Sequence, residues 1–215
     1  MSENRFIPAA SAQIDTVVVN SRFIADAAPA FSVDEAKAFI SEVKAKFPDA
    51  NHHVPAFLIG HGNSVTAHCS DDGEPSGTAG RPVLSVVQGS GLGDIVVVVT
   101  RYFGGTKLGT GGLVRAYSGA AREILEVLPR AVKISTYTVM VVVGYALFER
   151  ARLLVAKHGG KVLDEDFGAD VTVSAQFAMD ALEPFQNELR ELTQGKVQAE
   201  IIEENPDTIM PISRD

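Results

Sequence analysis

The chain has 215 residues, 46% hydrophobic and 21% charged, a composition typical of a globular protein with one large or two small domains. Its apolar runs are too short to span a bilayer, its first residues lack an export-signal pattern, and its single cysteine cannot form an internal disulfide, so we expect a cytoplasmic protein without membrane contact. The net charge of −8 excludes a protein that is basic over its whole surface.

The first part of the chain alternates short strands with helices. Residues 17–25 predict one bent strand or two short ones. Apolar residues at helical spacing after the capping pair Ser32 and Glu35 predict a helix that ends at Pro48. Residues 54–59 and 64–68 predict a hairpin, and residues 82–87 predict a short helix.

A buried strand and a long helix follow. The run Ile95–Val99 shows no polar alternation, so we expect both of its faces to be covered. Apolar residues spaced by three and four from Leu113 to Leu128 predict a helix that begins near Gly111 and packs on the sheet.

The last third predicts the element order βαββαβ, which is typical of a ferredoxin-like domain. The expected elements are a strand at 137–143, a helix at 145–158, a hairpin at 162–166 and 171–177, a helix capped by Asp180 with Glu183, and a strand at 197–202. We therefore predict an α+β protein of two domains, 1–134 and 135–205, followed by a loose tail at 206–215.

A glycine-rich loop joins the buried strand to the long helix. Five glycines from Gly104 to Gly112 present backbone amides near a helix N-terminus, which predicts a site for phosphate or a nucleic-acid backbone. The alternative is tight packing between strand and helix. The candidate anion- or nucleic-acid-binding residues are Arg101, Tyr102, Phe103, Gly104, Gly105, Lys107, Gly109, Gly111, Gly112 and Arg115.

The two aromatic candidates are Tyr102 and Phe103, whose rings can stack on bases unless at least one of them belongs to the core. The loop has neither the Walker A pattern nor the dinucleotide-binding glycine pattern. We therefore expect no cofactor.

A second loop is acidic and also rich in glycine. Its candidate residues are Asp71, Asp72, Gly73, Glu74 and Thr78, together with His53 from a neighbouring strand. The carboxylates can hold Mg²⁺ or pair with Arg101 and Lys107; the alternative is a turn whose side chains bond nearby amides. His53 can carry a proton, contact a phosphate, or serve as a hydrogen-bonded structural residue. One cysteine beside His68 does not make a zinc site, so we expect no metal.

Charge is distributed unevenly. Residues 1–135 hold 12 basic and 13 acidic side chains, whereas residues 136–215 hold 7 and 14. The segment from residue 75 to residue 122 contains five basic residues and a single acidic residue, Asp94. We therefore expect any polyanion to bind at this basic segment.

The sequence resembles the YigZ/IMPACT family over essentially its whole length. The matching motifs are Ser21-Arg22-Phe23, Pro48-Asp49-Ala50 with His52-His53, Asp71-Asp72-Gly73-Glu74-Pro75 through Gly80, and Arg101-Tyr102-Phe103-Gly104-Gly105 through Leu113. For fold, the resemblance implies an N-terminal IMPACT-type domain, similar to a ribosomal protein and to domain IV of elongation factor G, and a C-terminal ferredoxin-like domain.

For function, the resemblance implies a translation-associated module that binds RNA or the ribosome. Eukaryotic relatives restrain an initiation-factor kinase and carry an additional N-terminal domain that we do not expect here, so that activity is not implied. Two further hypotheses remain: a Mg²⁺-dependent enzyme acting on a small phosphorylated metabolite, and a protein-interaction module in which the acidic C-terminal domain docks on a basic, translation-related partner.

Overall fold

The structure, a computed structural model, describes residues 5–62 and 64–211. Contacts divide the chain into two compact units. The first unit comprises the chain up to Val132 together with Pro211, and the second runs from Lys133 to Met210.

The first unit is built on an antiparallel sheet in the order β2-β3-β6-β4-β5. The elements up to the end of the long helix are β1 (Arg5–Pro8), β2 (Ala12–Val18), β3 (Ser21–Pro29), α1 (Val33–Lys46), β4 (His52–Ile59), β5 (Thr66–Cys69), α2 (Gly80–Gly89), β6 (Ile95–Tyr102) and α3 (Gly109–Val127).

Strand β6 lies at the centre of this sheet and is buried on both faces, which confirms the prediction from its unbroken apolar run. Val97 and Val99 pack with α2 and α3 on one face. Val96 and Val98 pack with α1 on the opposite face. Because β6 continues directly into the glycine-rich loop, the loop leaves the sheet at its best-buried strand.

Local sequence signals account for the start of α1 and for the first hairpin. The amide of Glu35 donates to Ser32 Oγ (3.1 Å) and the amide of Phe31 donates to the Glu35 carboxylate (2.8 Å), which confirms the predicted capping. Strands β2 and β3 are longer than expected and are joined at Val19 and Asn20, whose φ angles are 46° and 65°. Positive φ at both central residues is the requirement of a tight two-residue hairpin.

The second unit has the predicted βαββαβ order. Its elements are β7 (Arg130–Val143), α4 (Tyr145–Lys157), β8 (Lys161–Phe167), β9 (Val171–Ala178), α5 (Met179–Leu192) and β10 (Glu200–Pro211). Strand β7 pairs with β9 and with β10, and β9 pairs with β8. These four strands lie in one sheet in the order β10-β7-β9-β8, which is that of a ferredoxin-like domain, and α4 and α5 pack on its buried face.

Four details of the second unit differ from the sequence predictions. Strand β7 begins at Arg130 rather than at residue 137. Asp180 does not cap α5, because β9 continues to Ala178 and the helix begins at the next residue. Asp180 instead lies in the first turn of α5, where its negative charge interacts favourably with the helix dipole. The last strand begins at Glu200 rather than at residue 197. Residues 206–211, expected to be a loose tail, belong to β10; residues 212–215 lie outside the described residues.

Strand β10 continues past Pro206 because β7 supplies partners there. Ser135 Oγ donates to the carbonyl of Pro206 (3.2 Å), and the hydroxyls of Thr136 and Thr208 lie 2.6 Å apart. A proline is tolerated where its missing N–H is not needed by a neighbouring strand. Among the described residues, no helix is both long and apolar enough to cross a membrane.

Candidate functional site

The acidic loop and the glycine-rich loop meet through one buried ion pair. Arg101 Nη1 lies 2.6 Å from Glu74 Oε1, and the Tyr117 hydroxyl donates to the same oxygen at 2.8 Å. All three side chains are buried, and both burial and the bond to Glu74 raise the pKa of Tyr117. His52 Nε2 lies 3.8 Å from Glu74 Oε1. One carboxylate thus connects the end of β6 to the middle of α3.

Arg101 also supports the backbone of the glycine-rich loop. Its Nη2 and the amide of Gly104 both lie 3.3 Å from Ser21 Oγ. Its guanidinium group lies 5.6 Å from the ring centroids of Phe23 and Phe103. Because its charge is paired inside the protein, Arg101 positions the loop. Of the alternatives given above, these contacts match the one in which a carboxylate of the acidic loop pairs with Arg101.

Asp71 is bound by three backbone amides. Its Oδ1 accepts from Ala79 (3.1 Å) and Gly80 (2.8 Å), and its Oδ2 accepts from Gly77 (2.8 Å). Partial burial raises the pKa of this carboxyl, but the three hydrogen bonds and the charge of Arg81 outweigh it and bring the pKa below its usual value. Gly80 is the first residue of α2, so the Asp71 side chain caps this helix although it lies eight and nine positions before the two amides that it accepts from, Ala79 and Gly80.

Asp72 and His53 stabilise the neighbouring backbone. Asp72 accepts from the His53 amide (2.7 Å) and from Lys44 Nζ (3.1 Å), and these bonds bring its pKa below the usual value although burial acts in the opposite direction. His53 is buried, with its Nε2 2.9 Å from the carbonyl of Phe47. These contacts fit the structural alternative for His53.

The remaining members of the acidic loop also have internal partners. Thr78 is buried and donates to the carbonyl of Pro75 (2.6 Å), and Gly73 and Gly77 adopt φ angles of 87° and 77°. Within residues 5–62 and 64–211, no three histidine, cysteine or acidic side chains are grouped so as to hold a metal ion. The contacts therefore match the alternative of a turn whose carboxylates bond nearby groups.

The first glycines of the second loop allow a close backbone approach. A Cβ atom at Gly104 would lie 1.9 Å from the carbonyl oxygen of Asn20, in the β2–β3 turn. Gly105 and Gly109 have φ angles of 84° and 70°, a region that other residues rarely adopt. Gly104 is thus required for packing, whereas Gly105 and Gly109 are required for the path of the loop.

The N-terminus of α3 carries positive charge and no acid. Leu108 occupies the capping position without a side-chain hydrogen bond, and the first turn, with Gly109, Gly111 and Gly112, contains no acidic residue. A Cβ atom at Gly111 would lie 3.8 Å from Arg115 Nη1, so the Arg115 guanidinium folds back over the first turn. Lys107 and Arg115 are exposed, and neither has a side-chain partner among the described residues.

Both aromatic residues of the loop reach the surface, contrary to the alternative that at least one belongs to the core. Tyr102 is half-buried, donates to Asp49 Oδ1 (2.8 Å) and lies under the Arg22 guanidinium. Phe103 is 46% exposed, and its amide donates to Asn51 Oδ1 (2.7 Å). The Phe103 ring is thus presented to solvent on a backbone that is fixed by hydrogen bonds.

Sequence analysis alone missed three contributors to this site, Ser21, His52 and Tyr117. Ser21 and His52 lie within motifs that carried the family resemblance, so those motifs were the available signal. Tyr117 falls within the apolar spacing of α3, and its ring packs 5.2 Å from Phe23, but its hydroxyl reaches Glu74. Only the fold brings these residues together.

The fold and the site define a protein of two α+β units in which an acidic loop and a glycine-rich loop meet around a buried ion pair. A family model described as the Impact N-terminal domain matches residues 19–125, and one described as a domain of unknown function (DUF1949) matches residues 141–196. The IMPACT family member YigZ of Escherichia coli strain K12 is 38% identical over 94% of this chain and 100% of its own length. The chain therefore belongs to the IMPACT family.

One solved structure is similar in fold over nearly the whole chain. A crystal structure described as that of a hypothetical protein is 37% identical, covers 95% of this chain and all of its own, and has a TM-score of 0.60. The structure of the two-domain translational regulator Yih1 is 26% identical over 56% of this chain and 46% of its own, with a TM-score of 0.35.

Proposed function

We propose that this protein is a translation-associated module that binds RNA or the ribosome through phosphate contacts at the start of α3. The observation that carries the proposal is the exposed first turn of α3, which has glycine at three of its first four positions, lacks an acid and lies beside Lys107 and Arg115. Association with translation and a cytoplasmic location follow the implication of the family resemblance and are part of the proposal.

The first turn of α3 is suited to a phosphate oxygen. The first four amides of a helix have no partner within the helix, and the aligned peptide dipoles add partial positive charge there. Gly109 and Gly111 carry no side chain that would hinder the approach of a phosphate group. Leu108, the N-cap residue, makes no side-chain hydrogen bond to these amides, so they can donate to a ligand.

The cations beside this turn favour a polyanion. A guanidinium group at a helix N-terminus is repelled by the helix dipole, and a bound phosphate would offset that repulsion. Arg115 lies at this position, and Lys107 precedes the turn by two residues. The two cations and the helix end together favour successive phosphates over a single small anion.

Phe103 favours single-stranded RNA at the same site. Its ring is exposed, and the Phe103 backbone is held by Asn51. An exposed ring on a backbone held in place, six residues before the start of α3, can stack on a base irrespective of sequence. We therefore expect binding with strong salt dependence and little sequence preference.

The test is the affinity of the full chain for a fluorescently labelled single-stranded RNA of about 20 nucleotides over a range of salt concentrations. The double variant Lys107→Glu/Arg115→Glu is expected to lower the affinity by about tenfold or more at low salt and to reduce the salt slope by about one for each lost contact. Arg101 is not replaced, because its ion pair with Glu74 supports the fold.

The matched control is Arg150→Glu/Lys161→Glu, which changes the net charge equally on exposed residues of the second unit. It is expected to keep most of the affinity and the full salt slope. The proposal fails if the wild-type chain shows no salt-sensitive RNA binding at low ionic strength, or if the control variant loses as much affinity as the loop variant.

A further inference from the structure

We infer that the groove between α2 and α3 docks an acidic, amphipathic helical segment of a partner protein. The groove has a volume of about 650 Å³ and lies entirely within the first unit. It is separate from the first turn of α3, because its α3 lining begins at Val114 and continues to Glu126.

The floor of the groove is aliphatic. Pro82 and Val86 contribute from α2, and Val114 and Leu125 contribute from α3. Val114 is 38% exposed, whereas Val86 is half-buried. Small residues, among them Ser85 and Gly89, keep the space above the floor open. Grooves of this kind between two helices accept the apolar face of a third helix.

The rim of the groove is mainly basic. Arg122 and Arg130 line it, both are exposed, and neither side chain has a hydrogen bond or ion pair with another residue in the described part of the chain. Of the described lining residues, only Glu126 is acidic. Carboxylates on an incoming helix would pair with the two arginines while its apolar side chains cover the aliphatic floor.

The lining distinguishes a protein helix from RNA. Among the described residues that line the groove, none is aromatic, so no ring is available there for a base to stack on. An aliphatic floor between basic rims matches a surface with alternating apolar and acidic side chains, whereas a phosphate backbone has no apolar group to cover that floor. The exposed Phe103 ring and the N-terminus of α3, which suit RNA, belong to the site proposed above and do not line this groove.

Gly89 gives a way to fill the groove without disturbing the core. A Cβ atom built on Gly89 meets no other atom within 4 Å, and its φ is not in the left-handed region. Gly89→Trp therefore places a large ring in the groove, and Gly89→Ala leaves the groove largely open. Both variants remain compatible with the helical backbone at the end of α2.

The probe is a synthetic amidated peptide of about 16 residues with leucine and phenylalanine on one helical face and glutamate on the other. Its binding to the full chain is followed by NMR, and we expect the largest shifts at the amides of Ser85, Gly89 and Ser118, which line the groove. Arg122→Glu/Arg130→Glu is expected to lower the affinity about tenfold, as is Gly89→Trp, whereas Gly89→Ala and Arg150→Glu/Lys161→Glu keep it.

Several outcomes overturn the inference. The inference is wrong if the glutamate peptide shifts no NMR signal of the groove residues. It is also wrong if a peptide with lysine in place of glutamate binds equally well, or if Arg122→Glu/Arg130→Glu leaves the peptide affinity unchanged. RNA binding separates this inference from the proposed function, because Arg122→Glu/Arg130→Glu should keep the wild-type RNA affinity. If that variant instead loses RNA affinity and the glutamate peptide does not bind, the groove belongs to the nucleic-acid surface and the inference is wrong.

Discussion

Replacing Glu74 by alanine is expected to destabilise the first unit by about 3–5 kcal/mol. The substitution leaves the Arg101 guanidinium buried without its carboxylate partner and removes the acceptor of the Tyr117 hydroxyl. A buried charge without a partner carries its full desolvation cost. The chain contains no tryptophan, so unfolding in urea is best followed by NMR signals of the β6 amides together with circular dichroism.

Companion variants separate the ion pair from general packing. Tyr117→Phe removes one hydrogen bond and should cost about 1 kcal/mol. Glu74→Leu combined with Arg101→Met replaces the pair by apolar groups and should cost clearly less than the sum of the two single changes. A cost below about 1 kcal/mol for Glu74→Ala, or strict additivity of the double variant, would contradict the buried pair described above.

The same ion pair explains why the site was only partly predictable. The sequence identifies both loops, and it indicates that their charges can pair if the loops face each other. It does not indicate that Glu74 alone pairs with Arg101, or that this pair is buried. Charged residues are seldom fully buried unless paired, so the sequence alone does not decide between a surface position and a buried pair for Arg101.

Elements with a clear hydrophobic pattern were predicted correctly, whereas contacts between residues far apart in the sequence were not. The helical spacing of α1 and the unbroken apolar run of β6 are local properties, and both predictions are confirmed. Gly104, in contrast, packs on the Asn20 carbonyl, and Ser21 accepts hydrogen bonds from Arg101 and Gly104, which lie 80 and 83 positions further along the chain. Such contacts depend on the pairing of β3 with β6, which no local pattern encodes.

The end of the chain shows a related limit. Asn205 and Pro206 are typical of a turn or a tail, yet they lie within β10. The strand is stabilised by β7, which supplies hydroxyl partners at Ser135 and Thr136. Tertiary pairing thus outweighs local propensity at the same positions where the sequence favoured a loose segment.

Replacing Asp71 by alanine is expected to destabilise the first unit by about 2–4 kcal/mol at neutral pH. The amides of Gly77, Ala79 and Gly80 all donate to this carboxylate, and Ala79 and Gly80 are buried, so water cannot easily replace the lost acceptor. The cost should exceed that of an ordinary cap because one side chain serves three amides. Urea unfolding of both proteins, followed by NMR of α2 amides, measures the difference.

The pH dependence gives this prediction a sharper test. Hydrogen bonds and Arg81 bring the folded pKa of Asp71 below its unfolded value of about 3.9, so its stabilising effect is fully present above that value and is lost as the pH falls through the folded pKa. The stability difference between the wild type and Asp71→Ala should therefore shrink below about pH 4. Asp71→Asn, which keeps an oxygen but not the charge, should cost less than Asp71→Ala. Because only the wild type titrates at this position, both differences from the wild type should shrink in acid, whereas the stability difference between the two variants should not depend on pH. A difference that stays constant from neutral pH to acid would mean that packing, and not the charged cap, makes Asp71 stabilising.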